Sequence, residues 1–238
     1  LNVVTSAVPF LRISPDARAG GMGELSTATS PDVNSQFYNL AKYPFAAGKS
    51  AAGLTYTPWL KDLGLNDVFL ATASGYTQFG EDREQAISAS MRYFSLGNIQ
   101  FTDNLGNDLN SFRPREFCFD FGYSRKLSDQ LALGVALRYI NSNLAGGASV
   151  NGVSYKAGNA VAGDIGLYYT GLGEDGKGWS FGAAMTNLGS KIGYTSDPNQ
   201  KDFIPANLSL GAVYTTTFSE VHKAVSYTHL TLPTKRIV

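Results

Sequence analysis

The sequence is short of the residues that carry most enzymatic and metal chemistry. Its 238 residues include one cysteine and two histidines. A lone cysteine, Cys118, excludes an intramolecular disulfide and reads as a small buried residue. His229 lies in an atypical C-terminal stretch, and His222 sits at an expected turn beside Glu220. A Ser–His–Asp relay needs a histidine held by a carboxylate and aimed at a nucleophile, which a turn histidine does not supply. No cluster of His, Cys, Asp and Glu has metal-ligand spacing. No catalytic, metal or cofactor site is therefore expected. Net charge is missing too: Lys plus Arg and Asp plus Glu are both 19, which leaves nothing to draw the chain to nucleic acid. No run of 18 apolar residues exists, which excludes a transmembrane helix but not a β-barrel, where only alternate residues face lipid.

What is abundant is aromatic side chains, at 12%, and glycine, at 26 residues, against only 16% charged residues. After Lys49 the sequence alternates. Phe117, Phe119, Phe121 and Tyr123 share one face, and Cys118, Asp120, Gly122 and Ser124 the other. Leu131, Leu133, Val135, Leu137 and Tyr139 repeat the pattern against Ala132, Gly134, Ala136 and Arg138. Eight strands are predicted, at 49–60, 67–80, 85–101, 112–126, 130–142, 158–170, 178–187 and 205–217. The less greasy face is mostly Gly, Ala and Ser, which suits a lumen packed by its own contents rather than a soluble sandwich. Gly171-Leu172-Gly173-Glu174-Asp175-Gly176 fits a dinucleotide-binding pattern. An alternating strand follows it instead of a helix, so it reads as a turn.

The expected architecture is all-β: a partial antiparallel outer-membrane β-barrel over 49–223, with an N-terminal plug formed by residues 1–48. That first segment is rich in Gly, Pro and Asn and predicts turns and short helical pieces. Connections after strands two, four, six and eight are compact, and those after three, five and seven are longer, as in outer-membrane barrels. The connection after strand one, 61–66, is short and does not fit. Residues 224–238 break the pattern and look like a translated sequencing adapter, so a non-native tail and a truncated barrel are expected.

Two groups of residues stand out as candidate sites. Arg92, Asp120, Arg138 and Asp164 fall on the lumen face of four successive strands with alternating charge, and are expected to pair across strands. Loop 102–111 places Leu105, Leu109 and Phe112 at or beside a polar stretch, where they could anchor a partner or fold back onto the rim.

Several segments resemble the PorV family, outer-membrane proteins of the type IX secretion system of Bacteroidota, with a FadL-like barrel. They are Val8 to Gly23, Asn34 to Ala46, Thr186-Asn187-Leu188-Gly189, Pro205 to Tyr214 and Thr215 to Lys223. The resemblance implies an outer-membrane carrier. It would take secreted proteins with C-terminal sorting domains from the outer-membrane translocon to the cell-surface sortase, in contact with membrane lipids. Two alternatives stay open: a FadL-type channel for hydrophobic small molecules, and a lipid A O-deacylase, for which no nucleophile–base pair is visible.

Overall fold

The computed structural model describes residues 6–102, 108–147, 149–150, 153–173, 175–197, 199–217 and 223–233. Nine strands form one sheet with strictly sequential neighbours: β1 Ser50–Pro58, β2 Val68–Phe79, β3 Gln85–Leu96, β4 Arg115–Lys126, β5 Leu131–Asn143, β6 Gly158–Leu172, β7 Gly178–Gly189, β8 Asn207–Thr217 and β9 Lys223–Pro233. Every pairing is antiparallel. The sheet curls into a partial barrel, and no helix is long and apolar enough to cross a membrane.

Alternation fixes the two faces. Along β4, Glu116, Cys118, Asp120, Gly122 and Ser124 are buried, while Phe119, Phe121 and Tyr123 are exposed. The outer face is left bare of protein: Leu54 is 85% exposed, Leu137 70% and Phe121 61%. Its aromatic rings gather in two belts. One lies toward the long connections and includes Tyr56, Phe69 and Tyr93, with ring centroids 5.1 and 6.1 Å apart, and then Phe117 and Tyr139. The other lies toward the compact turns, with Phe79 against Tyr123 and a cluster of Tyr169, Phe181, Trp179 and Tyr214. On β4 the belts are six residues apart, from Phe117 to Tyr123, which spans about 20 Å of extended chain.

The inner face carries the N-terminal segment. It is built from short pieces: 3-10 turns at Pro9–Arg12 and Leu40–Phe45, and single helical turns at Ala17–Gly21 and Ser35–Tyr38. Asp16 caps the Ala17–Gly21 turn by accepting from the amides of Arg18 and Ala19. Val8, Phe10 and Leu11 pack against Val68, Leu70, Phe94, Cys118 and Ile140. Leu40 and Tyr43 pack against Tyr76, Ala86 and Ala136 nearer the compact turns.

Glycine lets this segment come close. Gly122, Gly134, Gly166, Gly182 and Gly211 form a row on the inner face of β4 to β8, in which Gly134 pairs with Gly166 and Gly182 with Gly211. A Cβ at Gly182 would lie 2.1 Å from the Thr27 carbonyl oxygen, and one at Gly134 would lie 2.7 Å from Leu40 and 2.9 Å from the Ala41 nitrogen. Polar side chains stitch the same seam: Ser74 Oγ donates to Asn34 at 2.9 Å, Gln78 Nε2 to the Tyr43 carbonyl at 2.8 Å, and Asn39 Nδ2 to the Leu167 carbonyl at 2.9 Å.

The structure corrects the strand list in three places. The third predicted strand, 85–101, ends at Leu96, because Gly97 turns left-handed (φ 84°), and Ile99–Thr102 enters a separate ribbon with Asp108–Phe112. The fourth begins at Arg115 rather than 112, just after Pro114, which has no amide to donate to the ladder. The sheet also has a ninth strand: the backbone of Lys223–Pro233 pairs with β8, and all of it but Lys223 falls in the stretch the sequence pattern sets aside as a tail.

Candidate functional site

All four charged residues singled out by alternation meet in one buried network. Arg92, Asp120, Arg138 and Asp164 are between 1% and 4% exposed. Register explains their approach. Asp120 on β4 sits directly opposite Arg138 on β5. Arg92 on β3 pairs with Cys118, and Asp164 on β6 pairs with Ala136, so each reaches its partner diagonally.

The contacts run in sequence. The Arg92 guanidinium lies 3.7 Å from Asp120 Oδ2. Asp120 accepts from Arg138 Nε and, at 2.8 Å, from Ser90 Oγ. Arg138 then grips Asp164 with both terminal nitrogens, Nη2 to Oδ2 at 2.8 Å and Nη1 to Oδ1 at 3.4 Å. Two cations and two anions alternate, so the ladder is neutral as a whole. Burying such ions is costly unless their remaining donors and acceptors are satisfied.

Asn187 closes the far end, and the alternation pattern alone does not reveal it. It adopts a left-handed conformation (φ 59°) where β6 and β7 fall out of register between Gly163 and Ile165. This bulge turns the Asn187 side chain inward. Its amide donates to Asp164 Oδ1 at 2.8 Å, its Oδ1 accepts from Arg138 Nη1, and its Nδ2 donates to the Pro205 carbonyl at 3.0 Å. The sequence signal was Thr186-Asn187-Leu188-Gly189, whose Asn is one of the few residues that tolerate a positive φ.

At the near end the ladder takes hold of the N-terminal segment. Arg92 Nη1 donates to the Leu11 carbonyl at 3.2 Å, and its guanidinium stacks 5.0 Å above the Phe37 ring. A cavity of about 210 Å³ lies alongside, with Arg138, Asn187, Asn207 and Ser209 on its sheet side and Leu11, Phe37 and Tyr38 on the other. Burial pushes the Tyr38 hydroxyl well above the usual phenol range, with its hydrogen bond to Ser14 opposing the shift. Within the N-terminal segment Lys42 is fully buried. Its ammonium donates to the Ser26 carbonyl (2.7 Å) and hydroxyl (3.3 Å). Desolvation pulls its pKa down to about 8.

Chemically the ladder is suited to holding, not to reacting. Cys118 Sγ lies 3.9 Å from Asp120 Oδ2, but the thiol is buried and that carboxylate is already held by Arg138 and Ser90. Among the described residues no group of three His, Cys, Asp or Glu could hold a metal. Of the second candidate group, residue 105 lies outside the described residues, as does the side chain of Leu109. Phe112 is half-buried, and its ring lies against Gly146 of the neighbouring connection: a Cβ on Gly146 would be 2.5 Å from it.

Compared with protein families, residues 1–236 match the family described as type IX secretion system protein PorV. No curated protein is matched.

Proposed function

Because the chain belongs to the PorV family of type IX secretion system proteins, we propose that it serves that system as an outer-membrane carrier. It takes secreted proteins with C-terminal sorting domains from the translocon and hands them to the surface sortase. The family match over residues 1–236 carries this reading. Three physical features support it. The bare outer face with two aromatic belts suits an apolar slab flanked by headgroups. All the longer connections emerge on one side, where a soluble partner can be met. The ladder on the inner face is a neutral, mutually paired ion network, which suits a scaffold that holds the N-terminal segment.

The channel alternative needs an apolar pocket between the N-terminal segment and the wall. The cavity found there is walled on the sheet side by Arg138, Asn187, Asn207 and Ser209, a poor lining for an aliphatic chain. In the carrier reading, loop 102–111 with Leu105 and Leu109 contacts the substrate, and Phe112 serves the rim. Deleting 103–110 in the full-length protein should leave the barrel assembled while reducing the secreted substrate that co-purifies with it. Undiminished recovery together with normal surface attachment would remove that loop from the account.

A further inference from the structure

The connection between β1 and β2 is the one that is too short for its side of the sheet. It runs from Trp59 to Asp67 through a 3-10 turn at Lys61–Leu63. Both of its feet are pinned. The Trp59 amide donates to the Val68 carbonyl at 2.9 Å, and the Trp59 ring meets Phe94 edge-on, with centroids 6.3 Å apart. Asp67 accepts from the Asn98 amide at 2.7 Å through its carboxylate and from Ser95 Oγ at 2.8 Å through its carbonyl. Between these feet the apolar side chains have no cover: Leu60 is 48% exposed, Leu63 75% and Leu65 43%.

Other connections on that side mix cover and exposure. The one from Ser190 to Ala206 leaves Phe203 42% exposed but tucks Ile192 and Ile204 into the core beside Val8 and Phe10, whereas here all three leucines are exposed and Leu63 the most. The backbone also holds Leu60 in the left-handed region (φ 55°, ψ 26°), which is uncommon for a leucine and takes the place of the Gly or Asn that such a turn favours. A strained turn that sets out three leucines around Lys61 and Asp62 puts those leucines to use.

We propose that Trp59–Asp67 is a membrane-interface anchor whose leucines lie in the edge of the lipid leaflet on the side of the long connections. The occupant follows from continuity. The strands that feed the turn carry Tyr56 and Phe69, whose rings meet on the outer face at 5.1 Å as part of the aromatic belt on that side. Aromatic belts mark the headgroup level, and apolar residues set beside them are covered by acyl chains at no desolvation cost. Lys61 and Asp62 offset one another at the tip, and the remaining charge, Asp67, is tied to the Asn98 amide at the foot, so the leucines sit in no strong field that would select a charged protein partner. The short length then has a reason: this connection lies on the membrane rather than rising from it.

The inference rests on the outer-membrane reading, and its test separates the two. In the full-length protein carrying Cys118→Ala, single cysteines replace Leu63, Phe121 or Asp197 and are labelled with an environment-sensitive fluorophore. The protein is reconstituted in phosphatidylcholine vesicles whose lipids carry spin-label quenchers at shallow or deep acyl positions. The expected result is blue-shifted emission at 63 with quenching by the shallow label, quenching at 121 by the deep label, and quenching at 197 by aqueous iodide. Iodide quenching at 63 equal to that at 197, with 121 still lipid-quenched, overturns the anchor alone. Protection of 63 that appears only on adding secretion-system partners overturns it in favour of a protein-docking surface. Iodide quenching at 121 overturns the membrane reading and the anchor together. Should Leu63→Cys not assemble, Lys61→Cys in the same turn gives the same readout.

Discussion

Two strips on the inner face hold the N-terminal segment by opposite means. The charge ladder holds it with groups added to the sheet: Arg92 reaches the Leu11 carbonyl and covers Phe37 while Asp120, Arg138 and Asp164 neutralise one another behind it. The glycine row holds it with groups taken away: Gly122, Gly134, Gly166 and Gly182 leave room for Gln36, Leu40, Asn39 and the Thr27 carbonyl to touch the strands. On β4 the two strips are only two residues apart, at Asp120 and Gly122, and on β6 likewise, at Asp164 and Gly166. The difference lies in tolerance. A ladder of paired charges fails when one member is neutralised, whereas a row of glycines fails when a single methyl is added.

The largest effect is expected in the ladder. Asp120→Asn leaves Arg92 without a carboxylate and Arg138 with only Asp164, and removing one partner of a buried pair costs about 3–5 kcal/mol. Urea unfolding of the full-length protein in lipid vesicles measures it. A loss below that of an exposed pair would show that the ladder contributes nothing to holding. Next comes the glycine row. Gly182→Ala places a methyl against a backbone carbonyl that has no rotamer to adopt, an overpacking cost of about 1–3 kcal/mol. Gly64→Ala in the exposed turn meets no atom and tests only the left-handed backbone, so the two should separate in the same assay.

A third effect lies in the N-terminal segment itself. Burial holds Lys42 near a pKa of about 8, against an ordinary lysine value of 10.5. Between those values the unfolded chain binds a proton that the folded chain does not, so stability rises with pH across that window. Below about 8 the full penalty applies, and it is on the order of 3 kcal/mol. Lys42→Met should flatten the pH dependence between 8 and 10.5; an unchanged slope would mean that the ammonium is not desolvated. The smallest effect belongs to Asp175→Asn. Its pairing with Lys177, at 3.8 Å, is solvent-exposed, and such pairs contribute about 0–1 kcal/mol.

Much of this was legible in the sequence because a strand's two-residue period is a strong signal. Alternation around Phe117–Ser124 placed Asp120 on the inner face, and the same parity placed Arg92, Arg138 and Asp164 beside it. Gly, Ala and Ser on that face pointed to a packed interior. Asn187 was not legible as a ladder member, because a bulge shifts parity by one residue and leaves no mark on the pattern. Nor was the break at Gly97, where an apolar run continues into Ile99 and Phe101 although the backbone turns away. Parity also says nothing about which inner-face glycines touch the N-terminal segment, since that contact depends on a segment with no period of its own.

Arg92 ties the start of the N-terminal segment to the ladder, while the glycine row seats its end independently. Amide hydrogen exchange in the full-length protein tests this directly, by comparing the wild type with Arg92→Met. Expected are faster exchange at Leu11 and Ile13, whose short turn Arg92 clamps, and unchanged protection at Lys42 and Ala46, whose turn lies over the glycine row. Equal loss of protection in both stretches, or no loss at Leu11 and Ile13, would contradict it.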